Sequence, residues 1–233
     1  MRRREGGVRR CWAVGGWLLL TWAASAGPAA AQDLADFDYE NLSFRGLGLE
    51  WGYIWPTRVE PTYTVGARMD LGYLGPGLRI VPGITWWSSR MKRKEVRELE
   101  ARVEELIARQ AEPGAPPASV DLGTIDWSDL VLSLDGHVVW SVPYGLLTFA
   151  GVGASAHLLN GAGEAVDDTF VEDLLDSVTA GANLHAGVEY PLAEKFRVYG
   201  LTRIEVLGDF QYLEFRFGGQ FMIGPPAPGE VRR

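Results

Sequence analysis

A strict alternation of apolar with polar or small side chains is the feature that most restricts what this chain can fold into. The clearest run has its apolar set at Tyr63, Val65, Ala67, Met69, Leu71 and Tyr73. Successive side chains of a β-strand point to opposite faces, so a strand would gather this set on one face. At ~3.3 Å per residue the run covers ~33 Å, or ~25 Å along the membrane normal at a tilt of ~40°. That is the height of the apolar band of a transmembrane β-barrel.

The same two-residue period recurs along most of the chain and predicts eight strands. The predicted segments are 42–55, 63–73, 78–89, 126–140, 144–159, 177–190, 196–207 and 212–223. No segment after residue 31 has the run of about 20 apolar residues that a membrane helix needs, so any spanning structure must consist of strands. The sequence therefore predicts an all-β fold, an eight-stranded antiparallel up-and-down transmembrane β-barrel.

The connections between the predicted strands alternate in length. Those after strands two, four and six are short, and those after strands three and five are long, roughly 90–125 and 160–176. Bacterial barrels have short periplasmic turns and longer external loops, so an even number of strands with both termini inside puts the long connections outside. We predict aromatic residues at both membrane interfaces: Trp55, Tyr63 and Trp86 at the outer one, and Tyr73, Trp140 and Tyr190 at the periplasmic one.

The longer of these loops is predicted to carry a helical insertion at about 91–111. Val96, Leu99, Val103 and Leu106 repeat at steps of three and four in a segment dense with Arg, Lys and Glu. This spacing is typical of an amphipathic helix. Two interpretations stay open: a helix lying over the barrel mouth, or a short coiled-coil contact of helix 92–110 with a partner protein or a second copy.

The first thirty-one residues have the layout of a secretory signal peptide. An arginine-rich start precedes an apolar run from Trp12 to Ala26, and Ala29-Ala30-Ala31 offers small residues for cleavage. We therefore expect a signal peptide at 1–31, the barrel at 32–224 and a short tail at 225–233. This layout predicts export to the cell envelope and location in the outer membrane.

Cysteine content and charge exclude several kinds of site. Cys11 is the single cysteine and lies in the predicted leader, so a mature chain would have no disulfide and no cysteine metal site. Cleavage would remove five Arg and one Glu and so change the net charge from −8 to −12. A nucleic-acid partner is not expected, because it would call for clustered positive charge.

The polar faces of the predicted strands supply charges of both signs to the lumen. We predict a lumen ion-pair network of Glu50, Arg68, Asp70, Arg79, Asp135, Glu189, Arg197, Arg203, Glu205, Glu214 and Arg216. Interleaved charges can pair and share hydrogen bonds, and an eight-stranded barrel is just wide enough for side chains to fill it. The favoured interpretation is a filled, non-conducting lumen, with a narrow polar path or a small ligand cavity as the alternative.

All three histidines fall on the predicted inner face, and one of them gives an enzyme-like pattern. Ser155 and His157 share a face of one strand, and Glu164 in the next loop would orient the imidazole, as in serine hydrolases. Ser-x-His is a weak pattern, and the chain has no Gly-x-Ser-x-Gly or His-Glu-x-x-His motif. We predict no catalytic site, no metal site and no cofactor.

The chain resembles the small eight-stranded outer-membrane proteins, the group that includes OmpA-like and OmpW-like barrels. The resemblance covers roughly 40–223 and includes the segment Ala186 to Leu192, which is similar to a periplasmic turn of such barrels. The last strand, with Phe215, Phe217 and Phe221, is similar to the terminal insertion signal of the group, although the chain continues to Arg233. Lipid A deacylases of this size have the order His-x-Ser, whereas Ser155 precedes His157 in this chain. The resemblance therefore does not imply deacylase activity.

The resemblance implies an integral, non-enzymatic outer-membrane protein with a structural or narrow-passage role. It implies contact with outer-membrane lipid and with the outer-membrane assembly machinery. Two alternatives remain: a membrane-embedded lipid hydrolase that uses Ser155 and His157, and a soluble periplasmic barrel that binds an apolar ligand inside.

Overall fold

The structure is a computed structural model that describes residues 42–75, 77–111, 116, 119–167, 169–208 and 210–223. The predicted leader at 1–31 and tail at 225–233 lie outside the described residues. Eight strands form: β1 Leu42–Pro56, β2 Thr62–Gly75, β3 Leu78–Arg90, β4 Asp126–Val142, β5 Leu146–Ala162, β6 Ser177–Ala193, β7 Phe196–Leu207 and β8 Phe210–Met222. Each pairs antiparallel with its neighbour in sequence, and β8 closes on β1. The predicted fold class is confirmed.

The pairing register shows that the strands are staggered around the barrel. Following hydrogen-bonded partners from Gly52 through β2 leads to Trp87 on β3, and following them the other way through β8 leads to Gly77. The ladder therefore closes with a displacement of about ten residues, which tilts the strands against the barrel axis.

In the described residues, two helices and a short turn occupy the ends of the barrel. Helix α1, Arg93–Gln110, lies in the β3–β4 connection as predicted, and a shorter helix α2, Phe170–Leu175, lies in the β5–β6 connection, where no helix was predicted. A 3₁₀ turn at Pro143–Gly145 joins β4 to β5. We call the end that carries α1 and α2 the loop end, and the opposite one the turn end. Within the described residues, no helix has the length and apolar character to cross a membrane.

Helix α1 lies over the barrel mouth because one face of it is apolar. Val96 and Val103 are buried, and Leu99 packs against the same cluster. At the start of the helix, Lys92 Nζ donates to the carbonyl oxygens of Pro56 and Thr57, at 2.8 and 3.0 Å. These bonds tie α1 to the β1–β2 connection.

The distribution of side chains is the reverse of that in a water-soluble domain. On β1 the exposed fractions of Leu49 and Trp51 are 68% and 61%, whereas Glu50 between them is 5% exposed. The same reversal runs through the other strands, with Arg, Asp and Glu inside and Leu, Val and Phe outside. Charged side chains are almost never buried unless they are paired. A soluble barrel that binds an apolar ligand would need its apolar side chains inside and its charged ones outside. That alternative is therefore wrong.

Tyr73 is a correction to the predicted aromatic positions. It points into the barrel with 3% of its surface exposed, and Leu74 takes the outer position with 53% exposed. The cause is an irregularity in the pairing of β2 with β3 between Arg68 and Tyr73. Gly72 adopts a φ of 78°, and its N–H donates to Asp70 Oδ1 at 2.8 Å. This bulge adds a residue to the strand and so exchanges its two faces.

Candidate functional site in the barrel lumen

The lumen contains all eleven charged residues that the sequence indicated, and all are buried. Each of the eleven makes at least one ion pair within 4 Å with another member of the set. We call this set the ionic layer. Its side chains come from seven of the eight strands, because the inward positions of neighbouring strands meet across a narrow interior.

Glu189 on β6 is the centre of one half of the ionic layer. Its carboxylate accepts from Arg68 at 2.7 Å and from Arg79 at 2.6 and 2.9 Å. Arg197 lies 3.7 Å away, and Arg79 also approaches Asp70 at 3.6 Å. The side chain of Glu189 is fully buried, so this one carboxylate faces three arginines without help from water.

Two arginines organise the other half of the layer. Arg216 pairs with Glu50 at 2.6 Å and with Glu214 at 2.7 Å. Arg203 pairs with Asp135 and with Glu205, both at 2.8 Å. Each guanidinium thus lies between two carboxylates, which matches its several N–H donors.

Two residues outside the predicted network take part in it, and one of them, Tyr199, links its two halves. The Tyr199 hydroxyl donates to Glu50 at 3.0 Å. The centroid of the Tyr199 ring lies 3.2 Å from the guanidinium carbon of Arg68. Gln220 accepts from Arg68 at 2.8 and 3.0 Å and donates to Asp70 at 3.2 Å. Both occupy inward positions of their strands, and strand parity alone would have identified them as lumen residues.

Apolar side chains close the lumen at the loop end. We call this cluster the outer plug: Ile54, Val59, Trp87, Met91, Val96, Val103, Leu122, Ile125, Trp127, Leu159, Val166, Val171, Leu175, Leu207, Phe210 and Tyr212. It combines inward residues at the strand ends with residues of α1, α2 and the connections. Trp87, Phe210 and Tyr212 form its aromatic centre, with ring centroids 5.8 to 6.4 Å apart. Packed hydrocarbon therefore covers the ionic layer at this end of the barrel.

A smaller group of rings fills the lumen toward the turn end. The His137 ring stacks on Phe149 with centroids 4.6 Å apart, and His185 meets His137 edge-on at 4.7 Å. Arg79 Nη2 lies 3.1 Å from His137 Nδ1. Tyr73 belongs to the same apolar cluster as Phe149. Among the described residues, no three His, Cys, Asp or Glu side chains are arranged to hold a metal ion.

Ser155 and His157 do meet, but their partners are not the predicted ones. His157 Nε2 lies 3.0 Å from Ser155 Oγ, and His157 Nδ1 lies 2.7 Å from Asp129 Oδ2. Glu164 is exposed in the β5–β6 connection and makes none of the hydrogen bonds observed for His157. The predicted orienting role of Glu164 is wrong, because Asp129 on the adjacent strand occupies that position.

The hydrogen bonds of this cluster differ from those of a serine nucleophile. Ser155 donates its single proton to Glu205, so its oxygen can only accept from His157 Nε2. Gly181 leaves room for the contact between Ser155 and His157, because a Cβ at residue 181 would lie 2.5 Å from Ser155 Oγ. His157 has no exposed surface, so neither lipid nor water reaches it. The geometry is that of a buried brace between β4, β5 and β7.

Little empty space remains inside the barrel. The cavity within the ionic layer, lined among others by Asp135, His185 and Arg203, has a volume of about 10 Å³. Two larger cavities, of about 220 and 340 Å³, lie at the loop end beside α1. None of these three cavities runs the length of the lumen.

No protein-family model matches the chain. No curated protein matches it either. Solved structures do match: Neisserial surface protein A is 10% identical, with 77% of this chain and 97% of that chain covered and a TM-score of 0.48. Ail of Yersinia pestis is 8% identical, with 78% and 99% covered and a TM-score of 0.44. A major outer membrane protein from Thermus thermophilus is 14% identical, with 77% and 99% covered and a TM-score of 0.45. These similarities concern the course of the backbone alone.

Proposed function

We propose that this protein is an integral outer-membrane barrel that does not conduct, is not an enzyme, and anchors a helical insertion at the cell surface. The observation that carries the proposal is the combination of an apolar outer wall with a lumen filled by the ionic layer and covered by the outer plug. Such a wall is stable only against hydrocarbon, because an exposed apolar band of this extent would aggregate in water.

The aromatic side chains on the outer wall support the membrane assignment. Trp55, Tyr63 and Trp86 point outward near the loop end, with 44%, 75% and 49% of their surface exposed. Tyr190 and Trp140 point outward near the turn end. We infer that these two groups mark the interfaces of the membrane, because Trp and Tyr rings favour the headgroup level.

The filled lumen favours a structural role over a narrow passage. Any path along the axis would have to cross both packed hydrocarbon and paired charges that fill the available volume. The hydrolase alternative has less support, because Ser155 and His157 face this interior and not the lipid.

The loop end, with α1, is proposed to face the outside of the cell, and the turn end the periplasm. Leu106 and Ile107 of α1 are exposed by 42% and 38%, which supports a protein contact through helix 92–110. Outward Phe215, Phe217 and Phe221 on β8 support recognition of the last strand by the assembly machinery. Export by the leader remains part of the proposal.

Cysteine labelling on intact cells tests the membrane position and orientation. Lys94→Cys places a thiol on α1, where the native side chain is 73% exposed, and Tyr144→Cys places one at the turn end, where it is 93% exposed. A membrane-impermeant maleimide is expected to label position 94 in intact cells and position 144 only after lysis. Equal labelling of both positions in intact cells would contradict insertion, and the reverse pattern would contradict the orientation.

A further inference from the structure

Three arginines line one cavity on the outside of the loop end. The cavity has a volume of about 340 Å³ and is bounded by Arg90 at the end of β3, by Arg93 and Arg97 on α1, and by the segment 121–124. All three arginine side chains are exposed. None belongs to the lumen or to the ion pairs described above.

These arginines have no anionic partner in the described part of the chain. The two acidic residues that border the cavity are engaged elsewhere: Glu100 accepts from the backbone N–H of Leu122 at 3.0 Å, and Asp121 accepts from that of Gly123 at 3.0 Å. Other cations of α1 do have partners, such as Arg109, which pairs with Glu105 at 2.6 Å. The cavity is therefore bordered by three arginines and by two carboxylates, which accept from the backbone but keep their negative charge, so its lining has a net positive charge.

Two of these cations are unfavourably placed on the helix itself. Arg93 and Arg97 are four residues apart on one helix, a spacing at which like charges repel. Arg93 is also the first residue of α1, where the positive end of the helix dipole disfavours a cation. A bound anion with several acceptor oxygens would relieve both effects and satisfy the guanidinium donors.

The position of the cavity along the barrel axis indicates which kind of molecule would supply such an anion. Arg90 is on the outward side of β3, four residues beyond the interfacial Trp86. Four residues of a tilted strand correspond to ~10 Å along the barrel axis. The guanidinium group of Arg90 thus lies just outside the aromatic girdle, at the level of lipid headgroups and not of acyl chains.

We propose that Arg90, Arg93 and Arg97 form a binding site for a phosphate group on the headgroup of an outer-leaflet glycolipid. This inference rests on the proposed membrane position of the protein. The site would fix the loop end and α1 against the membrane surface, because one phosphate would bridge the end of β3 and the first turns of α1.

Native mass spectrometry of the detergent-solubilised protein tests the site. The probes are lipid A with two phosphates, the same lipid without phosphate, and inorganic phosphate alone. The test variant is Arg90→Gln/Arg93→Gln/Arg97→Gln. The matched control, Lys94→Gln/Arg102→Gln/Arg109→Gln, removes the same charge from other exposed positions of α1. Circular dichroism of each variant shows whether the barrel is folded.

We expect the native protein to bind phosphorylated lipid A at least about tenfold more tightly than the dephosphorylated form. The test variant should lose about tenfold in affinity for the phosphorylated lipid, and the control should stay within about twofold. Equal losses in both variants would show general charge attraction and overturn the site. A failure to distinguish the two lipids would also overturn it.

The free phosphate arm separates the two sources of phosphate. If inorganic phosphate at equal concentration competes as well as lipid A, the headgroup assignment is wrong. Because these measurements are made in detergent, they do not depend on where the protein lies in the cell. Failure of the cysteine-labelling experiment would instead refute the proposed function, so the two failures are distinguishable.

Discussion

Glu189→Gln is the substitution that most sharply tests whether the ionic layer stabilises the barrel. The change preserves the shape of the side chain and removes its negative charge. Arg68 and Arg79 would then face a neutral amide at 2.7 and 2.6 Å, and Arg197 would lose its carboxylate at 3.7 Å. Arg79 would keep a carboxylate only in Asp70, which is farther away at 3.6 Å.

The expected loss follows from the burial of these groups. Removing one partner of a buried ion pair typically costs about 3–5 kcal/mol, because the remaining charge is neither hydrated nor neutralised. The side chains of Glu189 and Arg79 are 0% and 1% exposed, so water cannot compensate. We expect Glu189→Gln to lower the free energy of unfolding by about 3 kcal/mol, the lower end of that range, because the amide oxygen of Gln can still accept hydrogen bonds from the arginines.

The chain supplies a matched control for this experiment. Glu105 and Arg109 on α1 are also 2.6 Å apart, but their side chains are 63% and 70% exposed. An exposed pair at this helical spacing contributes about 0.3–0.5 kcal/mol, so Glu105→Gln should cost no more than that. The assay is urea-induced unfolding of the barrel in lipid vesicles, followed by tryptophan fluorescence. If the two substitutions cost the same, the ionic layer is not buried as described.

Two further substitutions test the cluster around Ser155. Gly181→Ala should destabilise the barrel by about 1–3 kcal/mol in the same assay, because its Cβ would lie 2.5 Å from Ser155 Oγ and 2.8 Å from His157 Nε2. Gly136→Ala is the control, because its Cβ would meet nothing closer than 3.8 Å, and a loss as large as that for Gly181 would refute the packing argument. Ser155→Ala should leave the acylation pattern of lipid A in intact cells unchanged, as shown by mass spectrometry, and a changed pattern would restore the hydrolase alternative.

Much of the wall could be predicted from sequence, because strand facing is a local property. Alternation with a period of two assigns each side chain to the inside or the outside once a strand is recognised. It placed Arg68 and Glu189 on the inner face although they are far apart in the chain. The alternation assigned Tyr73 to the wrong face, because the strand has a bulge at Gly72. The bulge involves a hydrogen bond from the Gly72 N–H to the Asp70 side chain, which a pattern of apolar and polar residues does not reveal.

The partners within the lumen could not be predicted, because they depend on the stagger of the strands. His157 faces Asp129 on the neighbouring strand β4 on one side and Glu205 on β7, two strands away, on the other. Sequence proximity instead favoured Glu164, which lies in a loop. Apart from the apolar face of α1, the outer plug was missed for a related reason: it draws residues such as Ile125 and Phe210 from connections and strand ends whose positions depend on closure of the barrel.

The central claim is that the lumen is sealed although the protein spans the membrane. Electrical recording across a planar lipid bilayer after insertion of the purified barrel tests this claim most directly, with a general-diffusion porin as the positive control. The predicted result is a membrane that carries no discrete current steps while labelling confirms that the protein has inserted. Reproducible single-channel steps from the folded protein would show a continuous water path and contradict the account.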